Sequence, residues 1–333
     1  MTQTFDIAII GATGALGETL VQVLEERDFP VGTLHLLASS ESAGAAVAFR
    51  GKNVRVREVD AFDFRQVRLA FFAATPAVSV DFAGRARAAG CAVIDLAAAT
   101  GITVLVPEVN AEQLAGLAAP FHLASPGSSA VALALLLAPL RDVLQFQHLS
   151  VTACLAVSAL GREAVTELAR QTAELLNVRP LEPRFFDRQV AFNVLPQVGK
   201  PDAAGHLALE RRLVGELREL LNMPLLKVSV SCIQVPVFFG DSFTVSLRTA
   251  APVDLARIAA ILDAAPGIER VENDDYPTPV GDAVGQDVVY VGRLRSGVDD
   301  STELNLWATV DNVRKGGALN AVQLAELLIK DLL

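Results

Sequence analysis

One stretch of this chain limits its fold more than any other: FDIAIIGATGALGETLVQVLEERDFPVGTLHLLAS, residues 5–39. An apolar run leads into a glycine turn, an amphipathic helix and a second apolar run. Leu16, Leu20, Val23 and Leu24 recur at helical spacing, while Glu18, Gln22, Glu25 and Glu26 take the opposite face. Two apolar strands joined by a helix form a βαβ unit, whose strands run parallel. The expected fold class is therefore α/β, beginning with a Rossmann-like, doubly wound sheet.

The turn itself, Gly11 to Gly17, reads G-x-x-G-x-x-G. Glycines let a backbone approach a pyrophosphate, and the helix that follows offers unpaired N–H groups and the positive end of its dipole. The same glycines also serve tight helix-to-strand packing, a reading that needs no ligand. An acid about 20 residues beyond the last glycine often holds a ribose hydroxyl. Here the run is LLASSESAG and the nearest acid is Glu41.

Further strand-length runs follow at 69–75, 91–97, 104–109 and 121–125, separated by helical or loop segments such as SVDFAGRARAAG. From residue 148 the pattern changes to longer strands, expected at 226–238, 241–250, 287–295 and 303–311. Val228, Val230 and Cys232 alternate with Ser229 and Ser231, which describes a sheet with one covered face and one more polar face. The closing GGALNAVQLAELLIKDLL is an amphipathic helix suited to packing back on the first domain. The boundaries read as 1–127 plus 317–333 for a nucleotide-binding domain and 128–316 for an α+β domain, with an ordinary loop at 180–184.

A chain of 333 residues with 52% hydrophobic and 20% charged residues has ample surface for two cores. The longest apolar run, Ala130 to Leu140, is about half the length of a membrane span. The N-terminus lacks a basic region and a cleavage site, so a cytoplasmic protein is expected. Cys91, Cys154 and Cys232 lie singly in apolar runs, which describes buried thiols and offers no metal spacing. A net charge of −10 without a basic stripe argues against nucleic acid and anionic membranes.

Several motifs together resemble the aspartate-semialdehyde dehydrogenase family: GATGALG, PEVN at 107–110, AFNVLP at 191–196, VPVFFG at 235–240, VGRLR at 291–295 and DNVRKGGALNAVQLAELL at 311–328. They run in order over essentially the whole chain. The resemblance implies a Rossmann-like domain joined to an α+β domain of the glyceraldehyde-3-phosphate dehydrogenase-like type, which supplies substrate contacts and a homodimer interface. It also implies NADPH-dependent reduction of aspartyl phosphate to the semialdehyde in amino-acid biosynthesis. Cofactor contacts carry over to Gly11, Thr13, Gly14, Ala15, Leu16, Gly17, Ser39, Glu41, Thr75 and Asn320.

The family's reacting groups do not carry over as well. Its nucleophile is a cysteine in a segment like A-N-P-N-C-S/T, and the matching residues are Ala124-Ser125-Pro126-Gly127-Ser128-Ser129, which place Ser128 at the thiol. The strand resembling C-V-R-V-P-V-F-Y-G-H puts Gln234 at the arginine that holds the substrate carboxylate and Asp241 at the acid/base histidine. Leu209 falls at the glutamate for the substrate ammonium, or Glu210 if the match slips by one, and Arg212 falls at a lysine. The loop VIDLAAATGITV lacks the family's phosphate-binding arginine, and Glu41 replaces an arginine beside the 2′-phosphate of NADP.

A serine hydroxyl ionises far less readily than a thiol, so Ser128 is expected to be a helix N-cap accepting from an N–H one turn on. Asp241 is expected to titrate far below the range of histidine. The expectation is a catalytically silent paralogue that keeps fold, dimer and a nucleotide site, with NAD preferred over NADP if either binds, and no metal. A heteromer with an active homologue is a further expected partnership. The alternative is an active NAD(P)-dependent oxidoreductase on an aldehyde or acyl phosphate, aspartate semialdehyde included. His122, near the site in sequence, reads as a core residue on an apolar strand.

Overall fold

The computed structural model describes residues 3–97, 101–272 and 274–331. The chain divides into two compact units, residues 1–127 with 317–333, and residues 128–316.

The first unit opens with β1 (Phe5–Ile10), α1 (Ala15–Glu26) and β2 (Val31–Ala38). A hairpin of β3 (Ala46–Phe49) and β4 (Lys52–Glu58) follows, a pair the sequence reading did not name. Next come β5 (Leu69–Phe72), α2 (Pro76–Ala88), β6 (Ala92–Asp95), the short α3 (Pro107–Asn110) and β7 (His122–Ala124). These strands form one sheet in the order β3-β4-β2-β1-β5-β6-β7, parallel except for the hairpin. Alternate residues of one strand bury on opposite faces: Ile7 and Ile9 join Leu20, Leu24 and Leu36, whereas Ala8 and Ile10 join Phe72, Phe82 and Val93. That double burial explains the near-continuous apolar runs.

The expected strand at 104–109 is a correction. Only Val104 bridges, to Ala124, and Pro107 starts α3, where its fixed φ and missing N–H suit a first helical turn.

The second unit contains α4 (Ser128–Arg141), β8 (Phe146–Leu155), α5 (Arg162–Leu176), α6 (Ala208–Leu220), β9 (Lys227–Gln234) and β10 (Asp241–Thr249). It continues with α7 (Leu255–Ala264), β11 (Ile268–Arg270), β12 (Val289–Ser296) and β13 (Glu303–Val310). Its sheet has the order β11-β12-β13-β10-β8-β9. The strand expected to reach residue 238 stops at Gln234, two residues before Pro236, which lacks a ladder donor.

One face of this sheet buries Leu149, Val151, Ala153, Phe243, Val245, Leu304 and Leu306. The other face carries rows of small polar side chains in register, Ser229-Ser150-Ser246-Asn305 and Ser231-Thr152-Thr244, the second ending at Trp307. Between α5 and α6 the chain runs from 177 to 207 without a helix or strand. The last helix, α8 (Asn320–Asp331), returns to the first unit, where Leu324 and Leu328 complete the core over Ile9 and Leu36.

Candidate functional site

In the first unit the glycine turn is built by necessity. Gly11 has φ +84°, and a Cβ there would lie 2.3 Å from Ala73 O; a Cβ on Gly17 would lie 2.2 Å from Gly11 O. Neither position accepts a side chain. Gly14 differs, because its Cβ would meet only Gly11 O, at 3.5 Å. Gly14 is exposed at the N-cap of α1, with Thr13, Ala15 and Leu16 half-buried around it. Ser39 and Glu41 are exposed just past β2, and Thr75 is exposed at the N-cap of α2. All of these cluster at the carboxyl ends of β1, β2 and β5, where open parallel sheets bind ligands.

Asn320 begins α8 and is fully buried. Its Nδ2 donates to Ser125 Oγ at 2.8 Å and Leu105 O at 3.2 Å, and its Oδ1 has no partner. An orphaned buried acceptor fits a ligand that brings an amide N–H. These residues therefore fit a nicotinamide dinucleotide. Among the described residues no group of three His, Cys, Asp or Glu side chains could hold a metal ion.

Asp95, at the end of β6, accepts from Ser79 Oγ and, at 2.7 Å, from Ala97 N–H. Burial alone would raise this carboxyl, but His122, Ser79 and the Ala97 amide hold it below the usual range. His122 Nε2 stands 3.7 Å from Asp95 Oδ2, an ion-pair separation too long for a hydrogen bond. The loop carrying the missing phosphate arginine falls partly on residues 98–100, which lie outside the described residues.

In the second unit Ser128 is the first residue of α4, and its Oγ donates to Asp241 Oδ2 at 3.1 Å. That corrects the N-cap expectation: the hydroxyl serves a carboxylate, not a helix amide. A Cβ on Gly316 would lie 2.7 Å from Ser128 Oγ, so the backbone of that glycine packs directly on the serine.

Asp241 starts β10 and is 1% exposed; its Oδ1 accepts from Ala156 N–H at 3.0 Å. The expectation of a low-titrating carboxylate is also corrected. Burial, with the nearby charge of Asp311, pushes Asp241 up to about 7 against the opposing effect of its hydrogen bonds to Ala156 and Ser128.

Gln234 ends β9, is likewise 1% exposed, and donates from Nε2 to Leu155 O at 2.6 Å. Arg212 is half-buried and paired with Glu216 at 2.7 Å. Glu210 is committed to the backbone, accepting from Leu207 N–H at 2.9 Å and Cys232 N–H at 3.1 Å. Leu209 is half-buried beside it. Burial pushes the thiols of Cys91 and Cys232 up to about 12; Cys154, half-buried, is raised by burial and then by Asp241. Such thiols are poor nucleophiles.

Sequence reasoning missed Asn312. Its Oδ1 accepts from Gly240 N–H at 2.9 Å, and its amide meets Ser158 Oγ at 3.0 Å. It thereby fixes the residue before Asp241. The run DNVRKGG that contains it was visible, but nothing local ties position 312 to position 240.

Fold and site together define a two-part protein, a sheet whose glycine turn fits a nicotinamide nucleotide and an α+β unit that carries Ser128, Gln234 and Asp241. Residues 6–117 match the semialdehyde dehydrogenase NAD binding domain, and residues 137–315 match the semialdehyde dehydrogenase dimerisation domain. The chain belongs to the aspartate-semialdehyde dehydrogenase family. It is 59% identical to a USG-1 protein homolog of Azotobacter vinelandii, over 99% of each chain. It is 42% identical to aspartate-semialdehyde dehydrogenase 2 of Vibrio cholerae, again over 99% of each. A solved structure of a probable aspartate-semialdehyde dehydrogenase from Pseudomonas aeruginosa is 57% identical and superposes with a TM-score of 0.97, covering 99% of this chain and 100% of that one. Among the described residues no helix is long and apolar enough to cross a membrane.

Proposed function

We propose that this chain is a family member that keeps nicotinamide-nucleotide binding and homodimer formation and has lost the aspartate-semialdehyde dehydrogenase activity for which relatives such as the Vibrio cholerae protein are named. The observation that carries this reading is the Ser128–Asp241 hydrogen bond at 3.1 Å. Where the family resemblance calls for a thiol facing an imidazole, this chain has a hydroxyl tied to a carboxylate with 1% exposure. Asp241 has both oxygens engaged, by Ala156 and Ser128. Its ionised form would also oppose a substrate that carries a carboxylate and a phosphate.

Gln234 cannot offer the charged fork that a carboxylate prefers, and one N–H of its side-chain amide is already given to Leu155 O. Cofactor binding is supported by the glycine turn and the free Oδ1 of Asn320. When bound, a nicotinamide would supply hydride-transfer chemistry. Glu41 near a free 2′-hydroxyl can accept a hydrogen bond, whereas a 2′-phosphate there is repelled. The polar rows on the open face of the second sheet supply a flat surface for a second copy.

One observation favours a second reading, an active oxidoreductase working by direct hydride transfer: Asp241, raised to about 7, is a base of histidine strength next to a hydroxyl. One assay separates the two readings, reduction of NAD or NADP by aspartate semialdehyde with and without phosphate. No turnover is expected from the parent chain or from Ser128→Cys alone. Activity is expected to return in Ser128→Cys, Gln234→Arg, Asp241→His combined. Turnover in the parent that survives Ser128→Ala would establish the second reading, and turnover abolished by it would make Ser128 a nucleophile and overturn both readings.

A further inference from the structure

The long irregular segment between α5 and α6 is firmly held. Gln171 Oε1 accepts from Val190 N–H at 2.8 Å and Ala191 N–H at 3.2 Å, and Glu167 Oε1 accepts from Arg184 N–H at 2.9 Å. Leu195 exchanges both backbone hydrogen bonds with Gln234, at 2.8 and 3.0 Å. Val190, Ala191 and Leu195 are buried against Val157, Ala164 and Leu168. A segment so anchored has a fixed shape, and ordered loops of this length commonly carry function.

That shape encloses a cavity of about 530 Å³, the size of a small-molecule site. Leu160, Phe185 and Phe186 give it an apolar side, with the two phenylalanine rings edge to face at 5.0 Å. Gln234 stands in its wall. The backbone N–H and C=O of Gln234 are bonded to Leu195 and its Nε2 to Leu155 O, yet its Oε1 is buried without a donor. The amide cannot flip to cure this, because Leu155 O accepts only from the nitrogen end. At the rim, Asp187 and Arg188 neutralise each other at 2.8 Å, which leaves Lys200 as the one lining cation without an ion pair among the described residues.

We infer that this cavity binds a small amphipathic carboxylate bearing an N–H donor: the N–H supplies Gln234 Oε1, the apolar group lies against Phe185 and Phe186, and the carboxylate meets Lys200. An N-acylated apolar amino acid has this pattern. The site needs neither nicotinamide nor turnover, so its failure would leave the proposed function untouched.

Titration calorimetry on the full, nucleotide-free chain tests it with three probes: N-acetyl-L-phenylalanine, its methyl ester, and 3-phenylpropionate, which lacks the N–H. The first should bind about tenfold tighter than either analogue, the ratio a single hydrogen bond of about 1.4 kcal/mol provides. Gln234→Met should weaken N-acetyl-L-phenylalanine about tenfold and leave 3-phenylpropionate within about twofold. Lys200→Gln, a change at an exposed residue, should abolish the preference over the ester. If Gln234→Met does not fold, the comparison of probes on the parent chain decides the matter alone. No saturable binding at millimolar concentration, or equal affinity with and without the N–H, overturns the inference.

Discussion

Gln234 and Asp241 grip opposite ends of one peptide group. The Gln234 amide donates to Leu155 O at 2.6 Å, and Asp241 Oδ1 accepts from the N–H of Ala156 at 3.0 Å. The two residues come from different strands and close together on the end of β8. Both residues are integrated into the fold. Losing Asp241 strips the buried Ala156 N–H of its partner, at roughly 1–3 kcal/mol, whereas Leu155 O keeps the N–H of Val235 at 3.0 Å when Gln234 is changed. The combined reversion in the proposed assay is therefore expected to need thermal-unfolding checks at each step.

Stability should fall as the solution becomes less acidic. Asp241 lies at about 7 in the fold against 3.8 ordinarily, so between those values the native state binds a proton that the unfolded chain has released. Stability contributed by that proton is lost as pH climbs from about 4 to about 7 and then levels. Asp241→Asn keeps an acceptor for Ala156 and offers Ser128 an N–H without the buried charge. Its unfolding temperature should exceed the parent's at pH 8, with the gap closing toward pH 4. A parent whose unfolding temperature is flat across that window would contradict the burial argument.

The glycine turn separates packing from binding. Gly17→Ala drives a Cβ to 2.2 Å from Gly11 O and should destabilise the chain by roughly 1–3 kcal/mol or more. Gly14→Ala has no such clash and should unfold at the parent's temperature while losing nucleotide affinity. Paired thermal scans and nucleotide titrations read both effects. Equal nucleotide affinity in Gly14→Ala and parent would return the turn to a packing role.

Glu41 should decide between nucleotides. The parent chain is expected to bind NAD at least tenfold more tightly than NADP, and Glu41→Arg to reverse that order. Titration with both cofactors measures it. Tighter NADP binding by the parent would place Glu41 away from the ribose.

Light scattering should give twice the chain mass of 35.2 kDa at micromolar concentration. Thr152 lies in the middle of the row Ser231-Thr152-Thr244-Trp307. Thr152→Arg should therefore yield a folded species of half that mass. A parent that runs as a monomer would remove the open face from the interface.

Much of the fold was legible because its signals are local. Helical spacing at Leu16, Leu20, Val23 and Leu24 and alternation around Cys232 are consequences of one element burying one face. The β3–β4 hairpin, Ala46–Phe49 and Lys52–Glu58, escaped because most of its residues are exposed and its alternation, Val47 and Phe49 with Val54 and Val56, is too short to stand out. Ser128, Gln234 and Asp241 could be singled out from the sequence, but their environment could not. A carboxyl's titration depends on water excluded by residues far along the chain, so Asp241 read as an ordinary acid until its burial was seen. Asn312 was missed for the same reason, being 72 positions from the amide it holds.

The return of α8 to the first sheet has a consequence for how the protein is made. Ile9 and Leu36 emerge from the ribosome long before Leu324 and Leu328, which cover them. The intervening unit, residues 128–316, can collapse on its own contacts while its neighbour waits, open on one side. The nucleotide-binding unit is thus begun before the intervening unit and finished after it. During that interval it presents an apolar sheet face to whatever chaperone or sister chain is at hand.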